Sequence, residues 1–142
     1  VVYADANYYL AAYDDEDGKI KTYRVDRMEL LEVSDAVATR CALIANYDLE
    51  DFSYQAFGMF HGEPTSVTLH VKAALMDAVV DRFGRNLTVD HVTKEEADVH
   101  VNVLKSPQFF GWIAGLNGGV TIRAPKKVAA EYKDWLRSLI DE

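Results

Sequence analysis

Arg24 and Arg27 stand three residues apart in Tyr23-Arg24-Val25-Asp26-Arg27, in a chain whose 15 Lys and Arg are outnumbered by 23 Asp and Glu. A guanidinium is a planar fork of donors that grips a phosphate or carboxylate through two parallel hydrogen bonds, and a tyrosine beside it offers a stacking face and a hydroxyl. Tyr9 and Tyr23 supply such faces. Tyr9, Tyr23, Arg24 and Arg27 therefore make a candidate ligand site, and its ligand would be anionic: a nucleotide, another small anion or a single-stranded nucleic acid. The same residues have a plainer assignment. Tyr8, Tyr9 and Tyr23 would be core, and the arginines would pair with Asp26, Glu29 or the acidic run 14–17.

Other chemistry is thinner. Arg82 lies near one helix end, and Phe109, Phe110 and Trp112 open the next helix. Three aromatics on one short helix exceed a single apolar face, so Phe109 or Trp112 is expected at an interface, with Arg82 beside it. His91 and His100 fall on the two arms of one expected hairpin, but no third or fourth ligand follows at a useful spacing, so no metal site is expected. His61 and His70 read as surface or linker residues. Asp14-Asp15-Glu16-Asp17-Gly18 lacks the twelve-residue loop and closing Glu of a calcium site and reads as a solvated hairpin tip. No phosphate loop, nucleophile elbow or nucleophile–base constellation is visible, so neither catalytic residues nor a cofactor are expected. Cys41 is the one cysteine, which rules out an intramolecular disulfide.

The elements that must position these residues fall into three stretches. Over 1–35 the pattern predicts strands at 1–4, 8–13, 19–25 and 28–33, with a tight turn at Asp5-Ala6-Asn7. Alternation in the third strand puts Tyr23, Lys21, Val25 and Arg27 on one face, and Ile20, Thr22, Arg24 and Asp26 on the other. The arginines then point apart unless a bulge or bend near Asp26 brings them together. Residues 36–64 form a connector. Asp48 caps a short helix there that carries Leu49, Phe52, Ala56, Phe57 and Phe60, stopped by Gly58 and Gly62. From 65 to 142 the periodicity switches between 2 and 3.6 in the order β-α-β-β-α-β, then a terminal amphipathic helix. Ser106 is the expected N-cap and Pro107 the first residue of the second helix of this stretch. That order predicts a ferredoxin-like arrangement.

Five segments support a family resemblance: Tyr8-Tyr9-Leu10; Tyr23-Arg24-Val25-Asp26-Arg27-Met28; residues 53–63; Asp81-Arg82-Phe83-Gly84; and Ser106-Pro107-Gln108-Phe109-Phe110-Gly111-Trp112. In this order and spacing they resemble the WYL domain of bacterial helix-turn-helix transcriptional regulators, followed by its WCX extension. Tyr8 stands where the family has tryptophan. The resemblance implies an α+β chain: a partial Sm-like or SH3-like β-barrel over 1–35, the connector, and a ferredoxin-like extension over 65–142. It implies the effector-sensing and dimerising region of a DNA-binding regulator, with the effector at Tyr9, Tyr23, Arg24 and Arg27. Duplex DNA would then be met only by an upstream helix-turn-helix domain outside this chain. The opening Val1-Val2-Tyr3, a strand entered midway, fits a segment of a longer protein. A structural module that dimerises and binds no effector is the competing expectation.

The net charge of −8 argues against a protein that coats nucleic acid through a broad basic face, while leaving room for a small basic pocket. No apolar run reaches membrane-spanning length and no signal peptide opens the chain, so a cytoplasmic protein with no membrane partner is the expectation; the resemblance implies that it forms a homodimer.

Overall fold

The computed structural model describes residues 1–57, 59 and 61–141, with the backbone alone at Glu50. It is a mixed α+β structure that divides into two compact units, Val1–Ser53 and Tyr54–Glu142.

The first unit is built on three antiparallel strands, β1 (Val2–Ala4), β2 (Asn7–Asp14) and β3 (Lys19–Arg24), in that order. Asp5 and Ala6 both take positive φ, 48° and 61°, the handedness that lets a two-residue turn follow the twist of its strands. At the second turn, Asp14 Oδ1 accepts from the Glu16 amide at 2.9 Å, and Gly18 supplies φ 64°. Among the described residues the sheet stays open and does not close into a barrel. The strand expected at 28–33 is absent. The chain instead turns through a 3-10 segment, Val25–Arg27, and Leu30 adopts φ 51°, which breaks an extended run. Two short helices follow, α1 (Ala42–Ala45) and α2 (Leu49–Gln55). Asp48 caps α2 as expected, its Oδ1 accepting from the Asp51 amide at 2.8 Å. The helix is shorter than its apolar pattern, so Ala56 and Phe57 lie beyond it; Gly58 and Phe60 fall outside the described residues.

The second unit has four strands and three helices. In chain order they are β4 (Glu63–Lys72), α3 (Met76–Phe83), β5 (Thr88–Asp90), β6 (Glu96–Lys105), α4 (Pro107–Gly115), β7 (Val120–Ala124) and α5 (Lys126–Ser138). The sheet runs β5-β6-β4-β7 with every neighbour antiparallel. Strict alternation drives Leu69, Val71, Val99, Val103 and Val120 inward, where Val79, Phe109 and Ile113 from the helices complete the core. The opposite face of the sheet carries Ser66, Thr68 and His70 of β4 and Asp98, His100 and Asn102 of β6. Ser106 Oγ accepts from the Phe109 amide at 3.3 Å and caps α4, with Pro107 in its first turn.

Candidate functional site

The register of the first sheet separates the four residues singled out by sequence. Tyr9 lies opposite Arg24, while Tyr23 lies opposite Leu10, so Tyr9 and Arg24 share one face and Tyr23 takes the other. Tyr9 is only 7% exposed. It is a core ring, as the plainer assignment had it. Tyr23 is 42% exposed and has company that the sequence reading left outside the candidate site. Tyr3 pairs with Tyr8 across the β1–β2 ladder, on the face Tyr8 shares with Leu10 and therefore with Tyr23. The Tyr3 and Tyr8 rings sit 5.0 Å apart and are tilted by 57°, both more than half exposed. One face of the sheet thus presents Tyr3, Tyr8 and Tyr23 as a strip of aromatic surface.

The bend near Asp26 that the sequence left open is present as the 3-10 turn after β3. Its main product is an ion pair. Arg24 grips Asp26 with both arms of its fork, Nε to Oδ1 at 3.0 Å and Nη2 to Oδ2 at 2.7 Å. Those hydrogen bonds hold the Asp26 carboxyl below the usual carboxylate range, with a smaller pull from Arg27, and raise the Arg24 guanidinium in return. Arg24 is therefore committed in this state. Arg27 is exposed and, among the described residues, its side chain makes no hydrogen bond or ion pair. The acidic hairpin tip is neutralised internally: Lys21 Nζ reaches Asp14 Oδ2 at 2.5 Å and also Asp17, and those contacts raise its pKa.

The residues expected at an interface are drawn inward. Phe109 is fully buried, so of the two alternatives, Phe109 or Trp112, it is Trp112 that keeps exposed surface. Three aromatics fit on α4 because the helix has packing partners on two sides. Phe109 and Trp112 meet Phe57, with ring centroids 5.2 and 5.6 Å away, while Phe110 meets Tyr132 and Trp135 at 5.5 and 5.7 Å. Trp112 is half-buried and stands edge-on to Phe83. The Arg82 guanidinium lies 4.0 Å over the Phe57 ring and donates to the Ala56 carbonyl, a cation–π clamp that ties α3 to the segment before β4.

Residues 63–140 match the WCX domain and residues 1–33 match the WYL domain. The chain belongs to the WCX domain family. No curated protein matches it significantly.

The WCX sheet holds chemistry that sequence spacing did not expose. Asp98 is the buried carboxylate of its open face, with a side chain 3% exposed. Three basic groups converge on it: His70 Nδ1 at 2.9 Å, His91 Nδ1 at 3.1 Å and Arg123 Nη1 at 2.5 Å. Burial pushes the Asp98 carboxyl up, but hydrogen bonds from His70 and Arg123 outweigh it and leave the group below its ordinary value. His70, expected as a surface or linker residue, lies in β4 near its C-terminal end and also reaches Glu96 at 3.1 Å. Arg123 is itself the cation of this cluster, and among the described residues no three His, Cys, Asp or Glu side chains are placed to hold a metal. His91 is not the cross-strand partner of His100. It lies past the end of β5 and turns back onto Asp98.

His100 has partners of its own. Opposite Thr68 on one side and Thr88 on the other, it places Nε2 2.6 Å from Asp90 Oδ2 and Nδ1 3.0 Å from Thr68 Oγ1. A carboxylate only accepts, so in the neutral ring Nε2 carries the proton and Nδ1 is left to accept from the Thr68 hydroxyl. A cleft of about 300 Å³ opens beside it, with Ser66, Thr68, Thr88, His100 and Asn102 as its polar lining and Val67, Val101, Ala124 and Pro125 as its apolar one.

Proposed function

We propose that this chain is the effector-sensing region of a bacterial DNA-binding transcriptional regulator, and that its effector is an anionic single strand or nucleotide bound on the open tyrosine face of the WYL sheet. The observation that carries the reading is the strip of Tyr3, Tyr8 and Tyr23, left exposed at the end of the sheet from which Arg27 leaves β3. Exposed rings on one sheet face stack bases whatever their identity, and an unpaired guanidinium just past the strand's end can neutralise phosphate. The WYL match over 1–33 covers every one of these residues. The split β-α-β strand order of the WCX unit supports a ferredoxin-like fold for it, and the three-stranded sheet is read as part of an Sm-like barrel. In a homodimer, an effector that binds one arrangement of the units better than another would reposition upstream DNA-binding domains; a useful response needs a difference of a few kcal/mol.

Fluorescence anisotropy with a labelled single-stranded oligonucleotide tests this. Tyr23→Ala should weaken binding about tenfold, the worth of one stacked base, and Arg27→Ala should lower the salt slope by about 0.7. Arg24→Ala should have the smaller effect on affinity, because its fork already holds Asp26. Binding that is indifferent to Tyr23 and Arg27 removes the site from this face.

A second reading, a structural module without effector, is favoured by the segment after Arg27. Leu30, Leu31, Val33 and Val37 are 77–100% exposed there, an apolar run suited to a protein partner. Absence of any saturable oligonucleotide binding, with the chain folded, decides for it.

A further inference from the structure

Beyond sensing, we propose that the open face of the WCX sheet carries a hydroxyl–imidazole–carboxylate catalytic site in which Thr68 is the nucleophile, His100 the general base and Asp90 the positioning carboxylate, acting on small activated esters. Three strands build it. Thr68 on β4, His100 on β6 and Asp90 at the end of β5 come together only through the β5-β6-β4 register, with His100 within hydrogen-bonding range of both Thr68 and Asp90. The imidazole is oriented as the chemistry requires: Asp90 fixes the Nε2 proton, so Nδ1 faces the hydroxyl with its lone pair. The adjoining cross-strand pair supplies the remaining part. Ser66 Oγ donates to Asn102 Oδ1 at 2.6 Å, which occupies the carbonyl end of that amide and leaves its NH₂ as a donor in the same cleft. At about 300 Å³ and open to solvent, the cleft suits a short acyl group rather than a polymer.

The reaction runs in two halves. Thr68 Oγ1 attacks the ester carbonyl carbon while its proton passes to His100 Nδ1. The negative oxygen of the tetrahedral intermediate is met by the Asn102 amide. Collapse breaks the bond to the alcohol or phenol, which leaves with the proton from His100, and Thr68 is acylated. A water molecule then gives its proton to His100 and attacks the acyl carbon. The carboxylic acid is released and Thr68 recovers its proton.

The test uses the full chain with p-nitrophenyl acetate, following phenolate release and mapping the acetyl group by peptide mass spectrometry. Acetylation at Thr68 is expected, with turnover falling to background in Thr68→Val, a near-isosteric change that keeps the strand. His100→Gln should lower the rate about 100-fold. Asp90→Asn should lower kcat with KM little changed, because the imidazolium formed during attack loses its counter-charge; a merely structural carboxylate would leave kcat in place. Circular dichroism separates unfolding from loss of chemistry, and His100→Gln serves if Thr68→Val fails to fold. Acetyl found only on histidine or lysine, or turnover unchanged in Thr68→Val, overturns the proposal.

Discussion

At the scale of single residues, Asp98 shows most clearly how charge and burial are balanced. Its carboxylate fastens β4 through His70, the end of β5 through His91 and β7 through Arg123. Asp98→Ala should cost about 2 kcal/mol by denaturant unfolding, the range for a buried acceptor stripped from charged donors. Because the folded group sits below its ordinary value, its stabilisation is complete above the unfolded carboxylate value of about 3.9 and is lost as pH falls through the lower, folded one. Acid unfolding of the parent should therefore steepen below about pH 4, and Asp98→Asn should lose part of that dependence. Phe109 belongs to the same scale. Fully buried against Phe57, it should cost about 4 kcal/mol as Phe109→Ala, whereas the half-buried Trp112 should cost less as Trp112→Ala. None of the Asp98 contacts was legible beforehand: His70 and Arg123 lie 28 and 25 residues away in sequence, so no local period links them. The Thr68–His100 contact, 32 residues apart, was hidden for the same reason.

Elements were easier to read where one face is buried. β4, β6, β7, α4 and α5 follow the apolar alternation and the caps at Ser106 and Pro107, because a core on one side leaves a clear period in the sequence. The stretch 28–33 was misread because an apolar run looks like a strand whether or not a neighbour exists to pair with it. Here Leu30 turns left-handed and its side chain is 95% exposed. The four residues singled out as a ligand site are also sorted at this scale. Alternation within β3 already put Tyr23 and Arg24 on opposite faces, but only the β2–β3 register reveals that Tyr9 sides with Arg24 and is buried. Gly62 illustrates an element-level demand of another kind. A Cβ at this position would run into the backbone carbonyl of Lys105, at the close approach where β4 begins to pair with β6. Gly62→Ala should therefore destabilise the WCX unit by about 2 kcal/mol, seen as a lower unfolding midpoint with an unchanged denaturant slope.

For the whole molecule, the functional account rests on contrast between two surfaces. The chain is acidic overall, at −8, so a nucleic-acid strand is repelled except where local chemistry compensates. Under the proposed function the tyrosine face with Arg27 would offer that compensation in the WYL unit, whereas on the open WCX face Arg123, His70 and His91 are already engaged by Asp98. No helix among the described residues is long and apolar enough to cross a membrane. The most direct measurement is a backbone-amide NMR titration of the full chain with a short single-stranded oligonucleotide. The account predicts saturable shifts at Tyr3, Tyr8, Tyr23 and Arg27, with the open WCX face unmoved. Shifts confined to that WCX face, or no saturable shifts at all, would contradict it.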